Sequence, residues 1–221
     1  MIDEETARPR HLPRSRLLSM HVTHFAVALL IGGPEPLILT DRDIHDALRE
    51  GALSIEPPPP EDFYAPNGVD LRLDSRLTLY REPVAGEDPV IDPGSPGYTF
   101  REAIGAMADD IEIGEDGFVL DPGRLVLGWT WEKVDLKLGA RLCARVEGKS
   151  SLARIGLLVH LTAPTIHTGS TGRIQLEIIN LGPRPIRLRA GMKVCQLILE
   201  QTLGIPDRAY GGQFKGQRAA E

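Results

Sequence analysis

Two stretches of the 221-residue chain carry residue types that can do chemistry at a workable spacing. The first is Glu147-Gly148-Lys149-Ser150-Ser151-Leu152-Ala153-Arg154. Gly148 lets a backbone approach a ligand closely. Ser150 and Ser151 suit a helix N-terminus, where free N–H groups and the macrodipole attract anions. Lys149 adds a compact positive charge of the kind that meets phosphate. Ser150 and Arg154 stand four apart, so a helix puts them on one face. The run is not a Walker A loop, and a capped surface helix with a solvated lysine is the plain alternative. The second stretch is Arg173-Ile174-Gln175-Leu176-Glu177-Ile178-Ile179. Alternation puts Ile174, Leu176 and Ile178 on one face and Arg173, Gln175 and Glu177 on the other. A carboxylate buried in mid-strand can trade protons near neutrality. On a wet sheet face it pairs instead with a cross-strand arginine.

The elements that must hold these residues read as short strands. A helix is expected to start at Thr40 or Asp41, with Ile44, Leu48 and Leu53 at near-helical spacing and a stop near Glu50-Gly51. Pro57 to Pro60 read as a polyproline II loop. Residues 69–73 alternate with period two, the mark of a half-buried strand. Residues 84–98 are rich in proline and glycine without periodicity and read as a long loop. Apolar runs then recur at 118–120, 124–131, 140–146, 156–162, 173–179, 186–188 and 194–199. Asp121-Pro122-Gly123, Gly182-Pro183 and Ala190-Gly191 supply turns between some of them. The expected fold is mainly β, a barrel or jelly-roll-like sandwich with a few short helices and no internal repeat.

Composition narrows the function classes. With 23 Gly and 18 Pro, a helix bundle is disfavoured. Two cysteines, Cys143 and Cys195, exclude a disulfide framework and an all-cysteine zinc site. The net charge of −6 argues against a dedicated duplex-DNA or anionic-membrane binder. Residues 1–148 hold 15 basic and 27 acidic side chains, whereas residues 149–221 hold 10 and 4. A basic last third suits a small anionic ligand, and opposite charges meeting across a subunit interface are the alternative. Arg8, Arg10, Arg14 and Arg16 precede an apolar stretch that loosely mimics a signal peptide but lacks a clean cleavage site. Residues 1–37 are therefore expected to be an extension, with Met20 an alternative start, in a cytoplasmic protein. His160 and Cys195 read as core residues, as does one of Trp129 and Trp131. His21, His24 and His45 show no metal spacing.

In this order and spacing the motifs resemble dCTP deaminases of the trimeric dUTPase-like superfamily. The likeness runs through EGKSSLARIG (147–156), VHLTA (159–163) and IQLE (174–177). Upstream it takes in LTDRDI (39–44), GALSIEP (51–57), VDLRL (69–73) and Pro122-Gly123. Downstream it takes in LRAGM (188–192) and FKGQ (214–217). It covers about residues 38–217.

The resemblance implies a homotrimeric distorted β-barrel of residues 38–205, with three sites at subunit interfaces. A tail of residues 206–221 would close over the nucleotide. It implies hydrolysis of dCTP to dUTP and ammonia without zinc, and the H-x-E and P-C-x-x-C signature of zinc deaminases is absent here. Glu177 matches the general base and acid. Ser150 and Arg154 match the residues that position water and stabilise the centre at C4. Lys149, Ser150 and Ser151 correspond to triphosphate contacts, and Leu152 and Ala153 to substrate-binding positions beside them. Thr162, Ala163, Gln175 and Leu176 correspond to backbone readers of the pyrimidine. Tyr210 and Gln217 match tail contacts. Mg²⁺ would arrive with the triphosphate, and neither nucleic acid nor membrane is an expected partner. The chain departs from the pattern at His167, where the family has a sugar-contacting Asp that orients water in related dUTPases. Loss of diphosphatase activity is the expectation. Ser170 replaces an aromatic residue, and Gln213 replaces a lysine whose charge Lys215 could supply. A dUTP diphosphatase, a non-catalytic nucleotide-binding regulator and a modified cytosine substrate stay open as alternatives.

Overall fold

The computed structural model describes residues 37–86, 88, 90–208 and 211. In chain order its helices are α1 (Asp41–Arg49), α2 (Phe100–Met107) and α3 (Ser150–Ala153). Its strands are β1 (Leu53–Glu56), β2 (Tyr64–Ala65), β3 (Gly68–Tyr80), β4 (Ala108–Glu112), β5 (Phe118–Leu120), β6 (Leu125–Leu136), β7 (Leu142–Gly148), β8 (Leu157–Leu158), β9 (Thr165–Ile166), β10 (Thr171–Asn180), β11 (Ile186–Leu188) and β12 (Lys193–Gln201). The mainly β expectation holds. The main sheet runs β8-β10-β6-β3-β12-β7-β9 and curls into a half-barrel, while β5 and β11 pair separately.

Two long strands make the curl. β3 pairs with β12 over its first half and with β6 over its second. Between these halves its register slips past residues 74–76, where the Asp74 carboxylate accepts the Ser75 N–H at 2.6 Å. β6 lies against β10 along its length, with β3 on its other edge first and β1 afterwards. The concave side collects Leu71, Leu73, Leu77, Leu136, Leu176, Ile178 and Leu197, all fully buried. Each such side chain contributes about 1.5–3 kcal/mol through the water it sheds.

α1 appears where its signals lie. Thr40 caps it, and Asp43 returns a bond to the Thr40 N–H, completing a capping box. Gly51 closes it with φ +71°, so Leu53 begins β1 instead of extending the helix. The turns at Gly123 and Gly191 also need left-handed backbone, at φ +77° and +78°.

The reading of residues 69–73 falls short, because β3 runs on to Tyr80, and Val69, Asp70 and Leu71 are all buried. Contact on both faces erases the alternation. The run at 156–162 contains only the two-residue β8, because the chain leaves the sheet there. α2 and β4 follow the long loop without having been foreseen. α2 carries Phe100, Ala103, Ile104 and Met107 at helical spacing, a stripe the sequence reading passed over, although none of its residues is fully buried. No helix of the described residues is long and apolar enough to cross a membrane. Cys195 is fully buried, and Trp129 is nearly so while Trp131 is exposed, as read from the sequence.

Candidate functional site

β10 separates structure from chemistry by parity. Ile174, Leu176 and Ile178 enter the core, while Gln175 and Glu177 stand half-buried on the other face. Glu177 lies opposite Leu127 and Gln175 opposite Trp129, two side chains of β6 that are themselves nearly buried on that outer face. Leu127 in turn faces Thr78 of β3, whose hydroxyl donates to Asp110 at 2.6 Å. Burial raises the pKa of the nearby Tyr80 phenol, and the negative charges of Glu177 and Tyr98 add to the effect. Tyr80 therefore lies within electrostatic reach of Glu177. Among the described residues no cross-strand arginine pairs with Glu177, and Arg173 of the same strand pairs with Asp74 and stacks over Trp131 at 5.6 Å.

The outer edge of β10 is open beside Glu177. β8 accompanies β10 only at Ile179 and Asn180, then turns away. Residues 171–178 have a described strand partner only in β6. On the β6 side the register slips between Arg173 and Gln175, and the Thr130 hydroxyl accepts the Ile174 N–H at 2.9 Å. That hydroxyl donates onward to the Glu132 carbonyl at 2.8 Å. The slip is thus satisfied internally, and the groups on the opposite edge have no strand partner among the described residues.

The second motif folds into a tight turn. Lys149 occupies the N-cap position without a side-chain cap, so neither serine caps α3, which has only four residues. The Arg154 N–H donates to the Ser150 carbonyl at 3.1 Å, which places the two residues on one turn as their spacing requires. Ser150, Ser151, Ala153 and Arg154 are exposed, while Leu152 leans on the core. The turn is fastened to the far end of β10, where Leu181 N–H donates to Gly156 O at 2.8 Å. At strand rise, Leu181 is roughly 13 Å beyond Glu177. Among the described residues no hydrogen bond or ion pair joins Glu177 to Ser150 or Arg154 within the chain.

Lys149 does not point freely into solvent. Its ammonium lies 2.6 Å from Asp70, a buried carboxylate of β3. Sequence reading passed over Asp70 because one acid between Val69 and Leu71 looks like the wet face of a strand. Tyr80 was passed over too, since its approach to Glu177 depends on the pairing of β3 with β6.

Thr162 and Ala163 are exposed on the segment between β8 and β9. His167 is exposed in the turn before β10, where its carbonyl accepts the Ser170 N–H at 3.0 Å. His160 is half-buried, with its Nδ1 shielded and unpartnered, unlike the hydrogen-bonded core histidine expected. Tyr210, Lys215 and Gln217 lie outside the described residues, as do Gln213 and residues 1–36.

A family model described as dCTP deaminase-like matches residues 38–202. A dCTP deaminase of Rhodospirillum rubrum is 38% identical over 82% of this chain and 93% of its own length. A dCTP deaminase, dUMP-forming, of Bifidobacterium animalis subsp. lactis is 36% identical over 82% of this chain and 91% of its own. The solved 2'-deoxycytidine 5'-triphosphate deaminase from Agrobacterium tumefaciens superposes with a TM-score of 0.58 at 25% identity. That match covers 76% of this chain and 49% of the solved one. On this likeness in sequence and fold, the chain belongs to the dCTP deaminase-like family.

Proposed function

We propose that the protein hydrolyses dCTP to dUTP and ammonia, in pyrimidine deoxynucleotide metabolism. The observation that carries this reading is the placement of Glu177. It is a carboxylate on the non-core face of β10, beside a strand edge that has lost its partner. The open edge offers fixed N–H and C=O groups to a pyrimidine from Gln175 to Glu177, and the exposed Thr162-Ala163 segment faces the same purpose. Glu177 takes a proton from water as the oxygen joins C4, and passes it to N3. It then carries the proton of the new hydroxyl to the amino group. The C4–N bond breaks, ammonia leaves and the C4 carbonyl forms. A general acid–base group of this kind supplies about 10²–10⁴-fold.

Ser150 holds the water, and the permanent charge of Arg154 steadies the tetrahedral centre. Lys149 and Ser151 take the triphosphate, with the backbone of Leu152 and Ala153. His167 meets the deoxyribose. Tyr210, Lys215 and Gln217 close over the nucleotide. Mg²⁺ is carried by phosphate oxygens and water. Among the described residues no cluster of three His, Cys, Asp or Glu side chains is spaced to hold it. The turn of residues 150–154 is tied to the end of β10 beyond Glu177 and makes no described hydrogen bond or ion pair with it, which supports assigning it to the site of a neighbouring copy in a homotrimer. We place the reaction in the cytoplasm.

The test is Glu177→Gln incubated with dCTP and Mg²⁺. Binding should persist while ammonia release falls at least about 10²-fold. Retained turnover overturns the assignment. The dUMP-forming name of the Bifidobacterium relative favours a second reading, in which dUMP and pyrophosphate also appear. His167 opposes it, and separation of the products decides.

A further inference from the structure

We propose that Asp70 is a positioning residue for the polyphosphate end of the nucleotide. Its carboxylate holds the Lys149 ammonium where an outer phosphate arrives, and so sets the preference for a triphosphate over a monophosphate. This rests on the reading above, in which Lys149 meets the triphosphate.

The register builds the arrangement. Asp70 lies opposite Gln196 of β12, and Gln196 lies opposite Glu147 of β7. The three side chains form one row across three strands and share a face. Lys149 comes two residues after Glu147, just past the end of β7, and reaches back across the row. Its Nζ is 2.6 Å from the Asp70 Oδ1, and the Gln196 Nε2 donates to the same oxygen at 3.0 Å.

A buried carboxylate is costly unless it is paired. Lys193 is the other candidate, but its ammonium is 3.7 Å from the Asp70 Oδ2. It is also engaged by the Asp62 carbonyl at 2.9 Å and carboxylate at 3.0 Å, and sits 3.8 Å from the centre of the Phe63 ring. Lys149 is therefore the cation that answers Asp70. Glu147, the nearest rival acid along β7, is taken by Arg145 at 3.0 Å. Only one of three ammonium protons is spent on Asp70, and the Lys149 side chain keeps 20% exposure for an incoming oxygen. A lysine stem held in advance loses less rotamer entropy on binding.

The experiment is Asp70→Asn assayed for kcat and KM with dCTP, and for inhibition by dCMP. The expected result is a KM for dCTP raised about 10- to 100-fold, the range set by losing a hydrogen bond to a charged group. The kcat and the Ki of dCMP should hold. In a Lys149→Met background the same change should add nothing further to KM, since both act through one ammonium. A lower melting temperature with an unchanged KM for dCTP marks a merely structural role and overturns the proposal. Should Asp70→Asn fail to fold, the unaltered protein decides through ¹⁵N-labelled lysine. A Lys149 ammonium signal that moves on addition of dCTP but not of dCMP upholds the proposal, and any other response overturns it. Absence of ammonia release from dCTP by the unaltered protein overturns the functional reading and this proposal together. Normal turnover with an insensitive KM in Asp70→Asn overturns this proposal alone.

Discussion

Replacing Gly182 by alanine should loosen the joint that fixes the turn of residues 150–154 to the end of β10. A Cβ at this position meets the Ile155 carbonyl oxygen at 2.1 Å and the Asn180 Oδ1 at 3.2 Å. Ordinary contact begins near 3.4 Å, so the closer pair must part by roughly 1.3 Å. Asn180 decides which side yields. It is fully buried, accepts the Gly182 N–H at 2.9 Å, and donates to the carbonyls of Leu120 at 2.9 Å and Arg184 at 2.8 Å. The end of β10 is thus held from three directions, and Ile155 moves, taking the adjoining Arg154 with it. Overpacking of this kind costs about 1–3 kcal/mol. For a chain of this size that is a melting temperature lower by about 2–12 °C. A catalytic group misplaced by about 1 Å loses on the order of 10² in rate. The assays are thermal unfolding and the initial rate of ammonia release from dCTP. Gly139→Ala serves as the control, since a Cβ there meets nothing within 4 Å. If Gly182→Ala melts with the parent and keeps its kcat/KM, the reasoning is refuted.

Three further outcomes are expected. Arg72→Met strands the fully buried Glu132, whose carboxylate now takes the Arg72 Nε at 2.6 Å and backbone N–H at 2.9 Å. Denaturant unfolding should register a loss of about 3–5 kcal/mol, and Arg72→Met/Glu132→Leu should recover much of it. Gly105→Ala lies inside α2 in open space and should stabilise by about 0.5–1 kcal/mol, read by calorimetry as a modestly higher melting temperature. Tyr80 should be less ionised in the folded protein at pH 10 than an unfolded tyrosine, which is half ionised there. The folded state then binds more protons than the unfolded one, so stability falls as pH rises from 10 through the folded value. Tyrosinate absorbance follows this, and Glu177→Gln should shift the Tyr80 titration back toward 10; an unmoved titration would place Glu177 elsewhere.

What could be read from the residues follows from the range of the interactions involved. α1 was legible because Thr40, Asp43 and Gly51 act within a few residues of one another. The parity of β10 was legible because one strand carries its own alternation. Asp70 was not, since its burial comes from β12 and β7, more than 70 residues away in the chain. β8 was overread because Val159 is buried without belonging to a strand, and an apolar run does not record where pairing stops. The short helix expected after Lys149 forms a single turn, and it ends where Gly156 enters left-handed backbone at φ +96° beside Gly182.

The two parities of β10 also bear on how such a protein changes over generations. Ile174, Leu176 and Ile178 secure the strand from the core, whereas Gln175 and Glu177 stand half-buried on its other face. Position 175 can therefore change with less danger to folding than its even-numbered neighbours. A lineage built on this strand can exchange one cognate nucleotide for another while its heat tolerance stays where it was.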